Sequence, residues 1–161
     1  MGVDLRLHFK KDRRKKGTEI IGLNRSFFAM VGEGKYRPNP AIHELARVIG
    51  MDLNFLLELP EYNDPEDAAY WYGLAGEDST RAKQDTWRSN KFIRTRYLTE
   101  NIEALINRMN ISPDYHQKMK YDRASWNDYF GEGLRNDLSE LLQDLEKMEK
   151  DGFHWVSSEV S

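Results

Sequence analysis

The feature that most constrains the fold is a series of short apolar clusters at helical spacing between residues 23 and 57, separated by loops of turn residues. Apolar residues three or four positions apart share one face of a helix, so the clusters predict three short amphipathic helices. The first helix is capped by Asn24 and ends at Gly32 and Gly34. The second is capped by Asn39, with Pro40 at its first position, and ends at Gly50. The third is capped by Asp52 and ends before Pro60. Their inward-facing residues are Phe27, Phe28, Val31, Ile42, Leu45, Ala46, Ile49, Leu53, Leu56 and Leu57. This pattern indicates a compact helical module.

The order of these residues resembles the second half of the phage-repressor (Cro-type) helix-turn-helix family. The matching positions are Gly22, Leu23, Asn24, Arg25, Ser26, Phe28, Val31, Gly34, Lys35, Pro38, Leu45, Ala46, Ile49, Gly50, Met51, Leu53, Leu56 and Leu57. The chain departs from the family pattern in two places. Residues 18–21 leave little length for the helix before the turn, and Gly32 stands where the family favours Glu.

The resemblance implies a recognition helix in the major groove of double-stranded DNA, and a dimer that reads two half-sites one helical turn apart. The residues implied to face the groove are Arg25, Ser26, Phe27 and Met30, and Asn24, the cap of their helix, is counted with them among the DNA-binding residues. Of these, Phe27 and Met30 would contact thymine methyls and Arg25 a base edge or phosphate. The residues implied to hold the DNA backbone are Lys15, Lys16, Thr18, Lys35, Tyr36 and Arg37.

Charge is divided unevenly along the chain. Residues 1–60 contain 11 Lys and Arg against 7 Asp and Glu, whereas residues 61–161 contain 13 against 20. A basic run between Lys10 and Lys16 provides much of the positive charge. Phosphates provide most of the non-specific free energy of DNA binding, so a basic segment beside a recognition helix suits that function. The alternative is a solvated loop that keeps the protein soluble.

Composition excludes several classes of protein. The chain has no Cys, and its four His residues are dispersed without metal-ligand spacing, so no metal site is expected. The 161 residues contain no apolar run approaching the length of a membrane span and no signal-peptide core, so we expect a cytoplasmic protein without membrane contact. No nucleophile elbow, phosphate-binding Gly loop or paired-carboxylate motif stands out, so we expect neither catalysis nor a cofactor.

The N-terminal segment allows two interpretations. Val3, Leu5, Leu7 and Phe9 alternate with polar residues, which is typical of a half-buried strand. Leu5 and Phe9 are also spaced as on the first helix of a repressor domain. The opening Met-Gly-x-Asp resembles the start of small phage proteins without known activity, which favours the strand.

The middle of the chain begins with a break in regular structure. Pro60, Asn63 and Pro65 indicate a linker and a domain boundary near residue 62, followed by a short helix that starts at Asp64 or Pro65. The aromatic residues at 70–72 could stack on a base or small ligand, but we expect them to pack two domains together.

Residues 79–110 predict one long helix or two. The second half carries an inward stripe of Leu98, Ile102, Leu105, Ile106 and Met109. The first half is basic and aromatic, and either touches nucleic acid or, as we prefer, pairs with the acidic helix that follows. That final helix has the stripe Leu134, Leu138, Leu141, Leu142, Leu145 and Met148, which suits a small bundle or a dimer interface.

The sequence therefore predicts a mainly α protein, with a basic helix-turn-helix module at residues 1–61 and an acidic, bundle-like helical association domain at residues 62–161, with a short β element at the termini as an option. The function expected is a DNA-binding transcription regulator, a repressor that recognises a short operator as a homodimer. The alternative is an antitoxin or phage-type inhibitor whose acidic C-terminal helices bind a protein or small nucleotide.

Overall fold

A four-stranded antiparallel sheet joins the two ends of the chain and packs against helices from both halves. The computed structural model describes residues 5–14, 18–23, 26–27, 30–31, 41–120 and 129–160. Its elements in order are β1 (Leu5–Lys10), β2 (Glu19–Gly22), α1 (Ala41–Ile49), α2 (Asn54–Leu57), α3 (Pro65–Trp71), α4 (Gly76–Ser89), β3 (Ile93–Arg94), α5 (Thr95–Ile111), a 3-10 turn (Tyr115–Lys118), a kinked π turn (Tyr129–Gly133), α6 (Leu134–Lys150) and β4 (Trp155–Val160).

The sheet has the strand order β2-β1-β4-β3. The alternation in β1 puts Leu5, Leu7 and Phe9 on one face, where all three are buried against the helices together with Val156 of β4. The opposite face carries His8 and Lys10 beside Ser157 and Trp155. The open choice at the N-terminus is therefore decided in favour of a strand, because β4 provides a partner along its whole length.

The helices between Ala41 and Leu57 match the apolar spacing. Helix α1 buries Ile42, Leu45 and Ile49, and it ends at Gly50. Helix α2 follows Asp52, whose carboxylate accepts the backbone N–H of Asn54 at 2.8 Å. These two helices are confirmed.

Helices α3 and α4 form a hairpin that packs chiefly on itself. Asp64 caps α3 by accepting the N–H of Glu66 at 2.9 Å, as its position before Pro65 predicts. Lys83 of α4 pairs with Glu66 of α3 at 2.9 Å. For Lys83 the expected pairing with the acidic final helix is therefore wrong, whereas Arg96, further along the same basic stretch, interacts electrostatically with Glu149 of that helix.

Helices α5 and α6 pack together and supply the largest part of the core. Both predicted stripes are confirmed: Leu98, Ile102, Leu105 and Met109 of α5, and Leu134, Leu138, Leu141 and Leu145 of α6, are buried. The leucine stripe of α6 therefore faces this chain's own core, so only its polar face is open to a partner.

The prediction of an N-terminal helix-turn-helix module in a mainly α protein is wrong, because the protein is mixed α/β. Residues 5–10 and 19–22 are strands, so the segment that would precede the turn is extended. Phe27 and Met30 are helical but only 3% and 0% exposed, because they belong to the hydrophobic core together with residues of β1 and α6.

Residues on both sides of the predicted boundary near residue 62 share one core and one sheet. Strand β1 pairs with β4 from Leu5 to Lys10, and Pro60 accepts the N–H of Ser158 at 2.8 Å. Within the described ranges, no helix is both long and apolar enough to cross a membrane.

Candidate functional site

One end of the sheet carries a row of cationic and aromatic side chains. Lys10 ends β1, Trp155 begins β4 and Arg94 ends β3, and both Lys10 and Arg94 are register partners of Trp155. Residues directly opposite each other in antiparallel strands project from the same face. The three side chains therefore lie side by side on the face that is turned away from the main core.

The indole of Trp155 contacts two guanidinium groups. Arg94 Cζ lies 4.2 Å from the ring centroid and Arg13 Cζ lies 4.6 Å from it. Arg13 belongs to the turn after β1, which Asp12 shapes by accepting the N–H of Arg14 at 2.9 Å. Such contacts stabilise by roughly 0.5–2 kcal/mol each. Neither Arg13 nor Arg94 forms an ion pair with a carboxylate of the described residues, so two like charges share one ring.

Lys10 is the buried member of this row and is only 4% exposed. Its Nζ lies 4.7 Å from the ring centroid of Phe92 and 5.6 Å from that of Trp87. Burial lowers the pKa of Lys10, because desolvation disfavours the ammonium form. An anion at this point would act in the opposite direction and favour the charged lysine.

Lys10 and Arg13 also line an open groove of about 560 Å³. Its walls come from the turn after β1 and from the chain around the end of α4, namely Lys10, Arg13, Arg14, Trp87, Arg88, Asn90, Lys91 and Phe92. Five of these eight residues are cationic and none is acidic, so the local potential is positive. Trp155 adjoins this surface through its contact with Arg13, and Arg94 contacts Trp155 but lines a separate pocket that Glu58 also lines. We call the lining residues, together with Trp155 and Arg94, the cationic groove.

A buried histidine cluster supports the wall of the groove. The His8 ring stacks on Tyr62 with centroids 4.0 Å apart, and Tyr62 meets Phe92 edge-on at 6.2 Å. His8 Nε2 donates to the Glu159 carboxylate, and Nδ1 is hydrogen-bonded to Thr18 Oγ1 at 2.7 Å. Burial, followed by the nearby charges of Asp64 and Glu159, raises the pKa of the Tyr62 phenol. These contacts hold Phe92 in its position beside Lys10.

A pair of amide contacts anchors the same wall. Asn90 Oδ1 accepts the N–H of Asn63 at 2.8 Å, and Asn90 Nδ2 donates to the Asn63 carbonyl at 2.9 Å. Because Asn90 also lines the groove, these bonds connect its wall to the chain that leads into α3.

Of the residues predicted to bind DNA, Thr18, Ser26, Phe27 and Met30 lie in the described part of the chain, and these four do not form an exposed recognition surface. Phe27 and Met30 are buried in the core, so they are not accessible to thymine methyls. Ser26 and Thr18 are partly buried, and Thr18 Oγ1 is hydrogen-bonded to His8 Nδ1 at 2.7 Å. The other predicted positions, Asn24, Arg25, Lys15, Lys16, Lys35, Tyr36 and Arg37, lie outside the described residues.

The cationic groove combines two segments that the sequence shows separately. The basic run after β1 and the basic, aromatic stretch before β3 were both visible as patterns, but their proximity depends on the pairing of β1, β4 and β3. Trp155 had no local signal that linked it to arginines elsewhere in the chain. In the part of the chain that the structure describes, no group of three or more His, Asp or Glu side chains is arranged to hold a metal ion.

No protein-family model, curated protein or solved structure matches this chain.

Proposed function

We propose that this protein binds nucleic acid by its phosphate backbone at the cationic groove. The observation that carries the proposal is the pair Arg13 and Arg94, held on the Trp155 ring without an ion pair among the described residues. Guanidinium groups bind phosphate oxygens through paired, charge-assisted hydrogen bonds. A phosphate near these groups would relieve their mutual repulsion.

The shape of the site favours a strand over a single small anion. The groove is open and is lined by five cations from two segments, so more than one phosphate can be contacted along it. Trp87, Phe92 and Trp155 put aromatic rings between those cations. Cations that follow a backbone, interleaved with rings on which bases stack, are the usual arrangement in proteins that bind single strands.

The role in transcription stays a prediction, and it no longer depends on a recognition helix. Binding at the groove would occur mainly through the backbone, which positions a protein on DNA but carries little sequence information. Footprinting on the DNA that flanks the protein's own gene tests whether it protects an operator.

The alternative of an antitoxin or inhibitor also stays a prediction. The buried leucine stripe of α6 leaves its acidic face, which includes Glu140 and Asp144, for contact with a basic partner. Co-purification with a protein whose release requires charge reversal on that face would favour this function.

The proposal is tested by fluorescence anisotropy with a labelled 20-nucleotide single strand and the matching duplex. We expect binding to weaken at least tenfold between 50 and 200 mM NaCl, because each phosphate contact contributes about −0.7 for single strands and −0.9 for duplex to the log–log slope. The double variant Arg13→Ala/Arg94→Ala should bind at least tenfold more weakly and with a slope less negative by roughly 1–2.

A matched control removes two positive charges elsewhere. Lys118 and Lys120 are exposed and lie beyond the far end of α5, whose 17 residues span roughly 25 Å from the groove. Lys118→Ala/Lys120→Ala should therefore bind as the wild type does. A folded Arg13→Ala/Arg94→Ala variant with wild-type affinity would reject the proposal, and AMP binding as tight as the 20-nucleotide strand would indicate a small-nucleotide site instead.

A further inference from the structure

The α3–α4 hairpin projects from the body of the protein as an arm. No residue of α4 is buried, and α3 and α4 contact chiefly each other. The 14 residues of α4 give the arm a length of roughly 20 Å. The hydrogen bonds between Asn63 and Asn90 close its base, so the arm is tied to the body where the cationic groove begins.

The end of this arm is aromatic and exposed. Tyr70, Trp71 and Tyr72 are 78%, 78% and 79% exposed, which contradicts the expectation that they pack between two domains. Leu74 adjoins them, and its N–H donates to the Ala69 carbonyl at 3.1 Å in the turn after α3. Monomeric proteins rarely leave a contiguous patch of this kind uncovered unless it binds a partner. We call residues 70–74, with the adjoining acidic residues, the arm tip.

The carboxylates of the arm tip set the charge of its partner. Asp67 is one helical turn before Trp71, and Glu77 and Asp78 open α4 directly after the tip. All three are exposed, and none forms an ion pair with a described residue. The first cation of α4, Arg81, lies about one turn further toward the base. Such a surface repels phosphates and favours a cationic, aromatic partner.

We infer that the arm tip of one copy of this chain docks in the cationic groove of a second copy. The groove lining offers four exposed cations, Arg13, Arg14, Arg88 and Lys91, and no carboxylate, which complements the acidic tip, and its rings can pack against Tyr70 and Trp71. The tip cannot reach its own groove, because Arg88 lies twelve residues, or roughly 18 Å, along α4 from Gly76. Two copies related by a two-fold axis would fill each other's groove, so assembly stops at a dimer.

This docking makes the second copy a competitor of the ligand. This competition rests on the proposed function. If nucleic acid binds at the groove, its phosphates and the arm tip use the same cations, so phosphates would separate the dimer. Both associations depend on exposed charges, and both weaken as salt rises.

Sedimentation velocity of the full-length protein without nucleic acid tests the docking. We expect a dimer at 50 mM NaCl and tens of micromolar protein, and a shift to monomer at 500 mM NaCl. The tip variant Trp71→Ser/Tyr72→Ser and the groove variant Arg13→Ala/Arg94→Ala should each raise the dimer dissociation constant at least tenfold. The control Ile111→Ser, at an apolar side chain that is 73% exposed outside the arm, should dimerise as the wild type does.

Mixing the two variants separates this arrangement from any other dimer. The tip variant keeps its groove and the groove variant keeps its tip, so an equimolar mixture should form a heterodimer through one remaining contact. Absence of that heterodimer, a monomeric wild type at all concentrations, or an unaffected tip variant would overturn the inference. A salt-sensitive dimer that binds neither the single strand nor the duplex would support the inference and reject the proposed function. A monomer that binds either DNA would support the proposed function and reject the inference.

Discussion

Charged side chains in this protein are held in two different ways. Glu44 accepts hydrogen bonds from Arg47 Nε at 3.0 Å and from the backbone N–H of Lys120 at 3.0 Å, so its charge is balanced within the chain. Arg13 and Arg94 rest instead on the Trp155 ring without a carboxylate of the described residues. An aromatic ring offsets only part of the energy of a charge, so the arginine charge remains available to a ligand.

The balanced carboxylate predicts a pH dependence of stability. The hydrogen bond from Arg47 lowers the pKa of Glu44 below its usual 4.5, with a further contribution from the Lys120 N–H. A depressed carboxyl pKa stabilises the fold above pH 4.5, and the effect is lost as pH falls through the folded-state value. We therefore expect Glu44→Gln to reduce the free energy of unfolding by about 0.5–1 kcal/mol at pH 6 and by less at pH 3.

Urea denaturation at the two pH values measures this difference. Glu146→Gln is the matched control, because Glu146 is exposed and forms no ion pair among the described residues. It should change stability little at either pH. An equal loss for Glu44→Gln at pH 6 and pH 3 would contradict the assignment.

At the scale of the elements, helix ends in this protein are completed by residues from distant helices. Helix α1 ends at Gly50, whose φ of +67° lies in the left-handed region and whose N–H donates to Ala46 at 2.9 Å. Arg108 of α5 donates to the carbonyls of Ile49 and Gly50 at 2.9 and 3.1 Å. The last carbonyls of a helix have no N–H partner within that helix. The bonds from Arg108 provide such partners at the end of α1 and join α1 to α5.

Substitution at this helix end has a predictable cost. Gly50→Ala should lower the free energy of unfolding by about 1 kcal/mol, because a residue with a side chain is strained at positive φ. Steric contact is not the cause, since the atom nearest to the added Cβ, Arg108 Nη2, is 3.5 Å away. This loss of stability corresponds to roughly 2–4 °C in a thermal denaturation. Gly22→Ala is the control, since its added Cβ meets no atom within 4 Å, and we expect a change of under about 0.5 kcal/mol. Equal losses of stability at both positions would show that the positive φ of Gly50 is not the cause of the destabilisation.

At the scale of the whole molecule, the two ends of the chain depend on each other. Strand β1 lies between β2 and β4, and β4 is the last of the described elements. The sheet is therefore complete only when residues 155–160 are present. The same pairing brings Trp155 to Lys10 and Arg94. Fold and groove therefore form together.

Two deletions distinguish the core from the arm. Removal of residues 153–161 takes away β4 and should abolish cooperative thermal unfolding, because β1 loses a partner along its whole length. Replacement of the longer segment 64–89 by two glycines should keep a cooperative transition, since no α4 residue is buried and Asn63 lies beside Asn90. Circular dichroism during heating measures both. A cooperative transition without β4 would contradict this dependence.

The helices were predictable because their signals are local. The stripes of α5 and α6, the Asp64 cap and the stop at Gly50 involve residues within a few turns of one another. The helix-turn-helix expectation failed for the complementary reason. Apolar spacing shows that Phe27 and Met30 share a helix face, but not whether that face meets DNA or the protein's own core.

By itself, the sequence determined the apolar faces of α1, α2, α5 and α6 and some helix ends, such as the start of α3 after Asp64 and the stop of α1 at Gly50, since these depend on interactions between near neighbours in the chain. Only the tertiary structure decided that residues 5–10 pair with the last strand, because that choice depends on contacts between positions far apart in sequence. The cationic groove belongs to the second kind: its charges come from segments with no local relation, and the sheet brings them onto one surface.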